Sequence, residues 1–550
     1  MKVPSRPPPL RPALARPQIP LPLGTAHAEH DALRTTASGA STRVFAALAE
    51  EDWDRAAEIA VTTWGPLVSF HPDVLSVVCE SAPADRLATH PEWIVLRSYL
   101  RQLLTRPDLR PVLYTDDAPA PASAHGPMTR AMLVLSRVLA ARTEGDYERA
   151  ATLATEAERL ARGADPDHPA TVALMVPLLL QCAFAHEFAP HPEPAARLLG
   201  EVFRRAEAAG DLRGAIAAAG ELGWLLALTG DGATADDWLD THETLRDSAR
   251  TVHARVVSGR MGRALRHGDG LDLTAAQAVL DETDPDEAGE HRLLLTGLGV
   301  LVGARGADDL GGALLSRFDS QVMGIPLGGR SQGLNARFST VIRSEVLALR
   351  GDAAAALRAY DGIELRRDPV VAARLAGIHL LLEDEDAADA LARETIESAG
   401  FWPRAHTESV LIRAAVALRR GDRERAADLF REGLAATAAN RSSMPLAYLP
   451  MDDLGRLAEL LPPAERPAGL DVLLAGRIAL LPSGQRSVRP TPGELRLLRA
   501  LAVDTDEQRL AATLGVSRNT VRTQLHTLYR KFGVNSRAAL RAAARREGLL

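Results

Sequence analysis

One short plan recurs along this 550-residue chain and decides what most of it can become. Val346-Leu-Ala-Leu-Arg-Gly-Asp-Ala-Ala-Ala-Ala-Leu returns as Ala415-Val-Ala-Leu-Arg-Arg-Gly-Asp-Arg-Glu-Arg-Ala-Ala. Between them stands Leu380-Leu-Leu-Glu-Asp-Glu-Asp-Ala-Ala-Asp-Ala-Leu, with a glutamate where the others have glycine. Each copy reads as the end of an apolar helix, a turn, and the start of a helix of small residues. Setting Gly351, Glu385 and Gly421 at the same turn position gives spacings of 34 and 36 residues. The clearest earlier unit runs from Met128 to Gly163, with Leu133, Val138 and Leu139 before the turn Glu144-Gly145-Asp146. Weaker copies sit at Glu50 to Ala57 and Gly230 to Trp238. A helix pair cannot bury its apolar face alone, so such units stack on one another. Aromatic residues are only 4% of the chain and alanine and leucine abound, which favours helix over sheet. From Thr251 to Ser339 the period fades, and an irregular bundle of helices fits there equally well. Either way the body, residues 41–480, is predicted to be all-α.

The last sixty residues have a different punctuation. Thr491-Pro492-Gly493-Glu494 is a capping box with proline at the first helical position, ahead of Leu495, Leu498 and Leu501. Thr505-Asp506-Glu507-Gln508 reads as a second box, opening a helix that turns Leu510, Ala511 and Leu514 inward. Gly515 ends that helix, Ser517 caps a third from Arg518 to about Phe532, Gly533 stops it, and Ser536 starts a fourth. Two helices joined by so short a glycine turn form a helix-turn-helix, whose second helix can enter a major groove. In the third helix Val521, Leu525 and Leu528 recur at core spacing, while Arg518, Asn519, Arg522, Thr523, His526, Arg530 and Lys531 take the rest of the circumference. A merely solvated polar face fits the periodicity too, but it does not account for the charge. Residues 485–550 hold thirteen Arg/Lys against five Asp/Glu, a net +8, while the whole chain is −7, so residues 1–484 sum to −15. A basic module on an acidic body is the footprint of phosphate contact.

The runs Thr491-Pro-Gly-Glu-Leu-Arg-Leu-Leu, Leu510-Ala-Ala-Thr-Leu-Gly-Val-Ser, Thr520-Val-Arg-Thr and Tyr529-Arg-Lys-Phe-Gly-Val-Asn-Ser-Arg resemble the LuxR-type DNA-binding domain, without gaps over about fifty residues. The resemblance implies a four-helix fold over 490–550, with Glu494 as the family's signature acid and Arg522, Thr523 and His526 at its base-reading positions. Gln508, Arg518, Thr520, Arg530 and Lys531 would then lie near phosphates, and the helix from Ser536 to Arg546 would form a two-fold contact on an inverted-repeat site. Asp504, Asp506 and Gln524 depart from the pattern, and the two acids weaken non-specific phosphate binding. The body's period near 34 resembles tetratricopeptide repeats. Large ATP-binding LuxR-type regulators join a nucleotide-binding domain to such parts. This chain resembles only the last two, having no G-x-x-x-x-G-K-[ST] and only Lys2 and Lys531 as lysines.

The remaining segments bound the function. Residues 1–40, with Pro7-Pro8-Pro9 and Pro17-Gln-Ile-Pro-Leu-Pro, are expected to be a disordered tail, and 481–489 a linker. Cys79 and Cys182 sit far apart in apolar surroundings and read as buried thiols. No uninterrupted apolar run of 18 residues predicts a membrane span. Gly329-Arg-Ser331-Gln-Gly333 fits G-x-S-x-G but lacks the strand-turn-helix setting, so Ser331 reads as a loop residue. His186-Glu187 and His191 miss the i, i+4 spacing of two helical metal ligands. No enzyme, cofactor or metal is expected. The resulting expectation is a cytoplasmic transcription regulator that binds double-stranded DNA as a homodimer, its repeat body sensing an effector or protein partner. The alternative is a helical-repeat scaffold whose C-terminal module only dimerises.

Overall fold

The computed structural model describes residues 23–550 except 105–125, 190, 250–251, 253–255, 307–311, 325–332, 362–367, 483–489, 504–505, 533, 535 and 547–548. Among the described residues every named element is a helix, and the one β-bridge joins Pro450 to Leu481. The chain is all-α, as its composition implies.

The turn that recurs in the sequence has one physical construction. An aspartate caps the incoming helix by accepting the backbone N–H three residues on, and the residue before it is left-handed. Gly145-Asp146, Gly210-Asp211, Gly230-Asp231, Gly351-Asp352 and Gly421-Asp422 all follow this rule. So do Glu51-Asp52, Leu271-Asp272 and Glu383-Asp384, where a residue with a side chain takes φ of 59°, 67° and 56°. The left-handed bend turns the next N–H groups back onto the last helical carbonyls, as the Asp146 N–H donates to the Ala141 carbonyl at 2.8 Å, and the carboxylate satisfies an orphan N–H of the next helix. The turn position in the third copy is therefore Glu383 rather than Glu385, which already lies inside the helix Glu385–Ser398. Measured on the capping aspartates, the spacings are 32 and 38 residues rather than 34 and 36.

Helices so joined pack on their neighbours in sequence: Pro127–Glu144 on Tyr147–Ala161, Leu212–Thr229 on Gly232–Ser248, Pro369–Leu381 on Glu385–Ser398, and Pro403–Arg419 on Arg423–Ala439. In the first of these pairs the second helix offers alanines at close spacing, Ala150, Ala154, Ala157 and Ala161, so the axes approach. The first helix supplies the bulk. Two helices, Pro169–Glu187 and Leu212–Thr229, are long and apolar enough to cross a membrane, but 78% and 89% of their apolar windows are buried against other helices.

Two boundaries differ from expectation. A helix Leu23–Ala49 occupies much of the segment expected to be disordered, with Ala37 and Ala40 fully buried. The reason lies in composition: the prolines stop at Pro22 and the alanine-rich run that follows favours helix. Residues 1–22 lie outside the described residues. Leu481, expected to open the linker, is buried, and its carbonyl accepts the Met451 N–H at 3.0 Å. Ser331 falls outside the described residues. The motif's last glycine, Gly333, has φ of +58°, and a Cβ there would meet the Phe188 carbonyl oxygen at 1.9 Å. Close backbone approach accounts for that glycine without any catalytic role.

Candidate nucleic-acid interface

Residues 490–550 carry a hydrophobic cluster drawn only from themselves: Leu497, Leu498, Leu501, Leu510, Val521, Leu525, Leu528, Leu540 and Ala544 are its innermost members. Four helices surround it, Pro492–Val503, Glu507–Leu514, Arg518–Phe532 and Arg537–Arg546. Their ends are set by the residues singled out in the sequence. Thr491 and Glu494 form a reciprocal capping box, the Thr491 N–H donating to Glu494 Oε2 at 2.7 Å and the Glu494 N–H to Thr491 Oγ1 at 3.3 Å. Asp506 caps the second helix by itself, accepting from the N–H groups of Gln508 and Arg509. Thr505, expected to share that cap, lies outside the described residues. Gly515 takes φ of +66°, and Ser517 Oγ accepts the Thr520 N–H at 3.1 Å to open the third helix. Ser536 Oγ does the same for Ala539 at 3.2 Å. Gly533, expected to stop the third helix, is outside the described residues.

This framework leaves one face of Arg518–Phe532 outward. Val521, Leu525 and Leu528 are buried, while Arg518, Asn519, Arg522, Thr523 and His526 are exposed. The Arg518 side chain is 65% exposed and that of Arg522 71%, enough for either guanidinium to reach a base edge or a phosphate. Thr523 Oγ1 donates to the Asn519 carbonyl, and Thr520, half-buried, hydrogen-bonds Ser517 Oγ at 2.8 Å. Gln508 is exposed at the start of the second helix, and the Arg530 side chain is outside the described residues.

Two acids restrain this basic surface. Glu507 sits among three arginines, pairing with Arg537, lying 3.4 Å from Arg518 Nε and 3.9 Å from Arg522. Lys531, expected near a phosphate, donates from Nζ to Glu494 Oε2 at 2.6 Å. Burial opposes charge on Glu494, but the Lys531 ammonium and the Thr491 N–H hold its carboxyl below the usual carboxylate range. Glu494 thus ties the cap of the first helix to the end of the third. Sequence reading places both residues in the module but does not pair them.

One constellation in the body could hold a metal ion by ligand type among the described residues: Glu187, Glu221 and His291, all buried, with ligand atoms within 4.8 Å of one another. His291 Nε2 lies 2.9 Å from Glu187 Oε1 and 2.8 Å from Glu221 Oε1. Trp224 Nε1 donates to Glu187 Oε1 at 3.1 Å and Ser258 Oγ to Glu221 Oε2 at 2.6 Å. Burial and the neighbouring Glu221 push the Glu187 carboxyl up to about 8, and the two carboxylates overcome burial to raise His291 to about 9. Both shifts favour the protonated forms, an imidazolium on His291 and a carboxylic acid on Glu187. Glu187 reaches partners 34 and 104 residues away, contacts invisible to a search restricted to His186 and His191. Compared with known protein families and with curated proteins, the chain matches none.

Proposed function

We propose that the chain is a LuxR-type transcription regulator that binds an inverted-repeat DNA site as a homodimer in the cytoplasm. Its tetratricopeptide-like body, residues 41–480, senses an effector. The observation that carries this reading is the exposed row Arg518, Arg522, Thr523 and His526, set on a helix whose opposite side is locked into the module's own core. Arg522 is suited to two parallel bonds with a guanine edge, and Thr523 and His526 to single atoms or a thymine methyl. Arg518, Asn519, Thr520, Gln508 and Arg530 supply position on phosphates. The helix Arg537–Arg546 leaves Ala538, Ala542 and Arg545 exposed, a small-residue surface fitted to a two-fold contact. The successive helix pairs with their shared Asp-capped turn support a repeat body.

A salt-titrated binding assay on the full chain, with random and selected duplexes, tests the reading. A DNA reader gives a steep linear fall of log affinity with log salt and a specific excess for one sequence class. Arg522→Ala is expected to weaken binding to the selected duplex by about 1–3 kcal/mol and relax one base position. Equal affinity for every duplex at low salt, unchanged by Arg522→Ala, overturns it in favour of a module that only dimerises.

A further inference from the structure

The body holds a partly open, mainly apolar cavity of about 100 Å³ where its middle and C-terminal helices meet. Leu298, Leu301, Phe338, Val341, Trp402 and Met444 form much of its wall. Such a void forfeits dispersion contacts on its lining, and a dry apolar cavity of comparable size takes up a molecule of roughly benzene size. Four arginines also reach the wall, and their partners define what can enter. Arg404 makes two bonds to Asp269 at 2.7 and 2.8 Å. Arg305 pairs with Glu345, Arg374 with Glu345 and Glu408, and Arg337 with Asp368. Each of the four is matched to carboxylates, Asp269 and Glu345 on the wall and Asp368 and Glu408 behind it, so no guanidinium is left without a counter-charge to attract an ion. An incoming carboxylate would have to displace a buried one. Three nitrogens of these arginines make no aligned hydrogen bond; Arg305 Nη2 and Arg374 Nε still lie 2.8 and 2.9 Å from carboxylate oxygens of Glu345 and Glu408, which leaves Arg337 Nε, on a side chain only 3% exposed. A buried donor of this kind gains from any acceptor brought to it.

The cavity is also mechanically connected. Arg305 Nη1 donates to the carbonyls of Ala447 and Ala479, and the Ala479 N–H donates to the Arg305 carbonyl at 2.9 Å. Ala479 and Leu481 are among the last described body residues before the segment leading to the C-terminal module. A wall residue therefore grips the exit of the body.

We propose that this cavity is the effector site and that it takes a small, uncharged, mainly apolar molecule bearing one hydrogen-bond acceptor, met by Arg337 Nε. Occupancy is passed through Arg305 to the Ala479–Leu481 segment. The transmission rests on the DNA-binding reading, whereas the ligand class does not.

The test uses the full chain without DNA and three probes of one ring size: acetophenone, toluene and benzoate. Ligand-observed NMR and thermal shift read binding. Acetophenone is expected to bind about tenfold more tightly than toluene, the worth of one hydrogen bond, with benzoate the weakest. Val341→Phe, which fills the void, is expected to abolish acetophenone binding while the melting temperature holds or rises. Benzoate binding as well as acetophenone, no probe binding, or a folded Val341→Phe that still binds would each overturn the proposal. The probe ranking on the unaltered chain decides the matter if that variant does not fold. A separate arm measures DNA affinity with no probe present: failure there removes the regulator reading and leaves the cavity result standing.

Discussion

His291→Ala and Glu187→Gln, taken together, test the buried triad that joins the helices Pro169–Glu187 and Leu212–Thr229 to the segment before Arg292. With His291 gone, Glu221 loses its cation in a site where all three side chains are at most 2% exposed. Removing one partner of a buried ion pair costs about 3–5 kcal/mol. For a cooperative unit of about 150–250 residues around the triad that lowers Tm by roughly 6–20 °C. Glu187→Gln differs in kind, because Glu187 is the protonated member at neutral pH. A glutamine keeps its shape and neutrality and can donate to Glu221, so the expected change at pH 7 is within about 1 kcal/mol. The pH response separates the two further. Both Glu187 and His291 hold their protons more tightly in the folded chain than in the unfolded one. The stability they contribute is complete at low pH and fades as pH rises, Glu187 releasing its share by about 8 and His291 by about 9. The parent protein is therefore expected to lose Tm between pH 7 and 9, and Glu187→Gln to show a flatter curve. Thermal unfolding followed by tryptophan emission reads this, since the Trp224 indole donates to Glu187. A Glu187→Gln curve as steep as the parent's, or a harmless His291→Ala, would refute the assignment of charges.

Glu494→Ala removes both the capping box and the partner of Lys531, so the C-terminal module is expected to lose about 2 kcal/mol and to be cleaved sooner in limited proteolysis of the full chain. Lys531→Ala is likewise expected to shorten the module's lifetime under protease, rather than only to weaken phosphate contact. Glu507→Gln releases Arg518 and Arg522 from a competing carboxylate, and tighter binding to random duplex with a steeper salt dependence is the expected result. Glu383→Gly relieves a left-handed side chain on an exposed turn and is expected to stabilise the body by about 1 kcal/mol in urea titration.

How far the sequence could be read depended on the range of the interaction. Caps, turns and the apolar stripe of the third helix act within four residues, and Thr491, Glu494, Gly515, Ser517, Val521 and Leu528 stand as their local chemistry requires. The repeated turn was visible for the same reason, although its register slipped by two residues at Glu383, where a run of alternating acids offers several candidates for one aspartate cap. Longer-range pairings were hidden. Nothing near Lys531 marks Glu494 as its partner, and no spacing rule connects Glu187 with Glu221 and His291. The helix Leu23–Ala49 was missed because its charged and small residues show no strong apolar period, and its order comes from burial of Ala37, Ala40 and Val44 against later helices.

The arginine content is where composition alone was least informative and packing most. Sequence bias explains why the cations are arginine, but not where they go. In the body several go inside: Arg266 binds Asp236 and Asp269, Arg404 binds Asp269, Arg374 binds Glu345 and Glu408, and Arg305 joins Glu345 to two backbone carbonyls. A planar guanidinium with five donors can hold several partners at once, which an ammonium with a single nitrogen cannot do in one plane. Helices far apart in sequence are thereby cross-linked beside a cavity where the apolar filling is incomplete. Substituting lysine at Arg404 should therefore loosen the junction between Asp269 and the Ala227 carbonyl even though charge is kept. A network of this kind is costly to disturb when one member is lost, and it is poised to respond when a guest changes the spacing of its walls. The same residue type thus does opposite work in the two parts of the chain. Around the cavity it is buried among carboxylates and carbonyls, and in the C-terminal module it is outward on Arg518 and Arg522, close to Glu507.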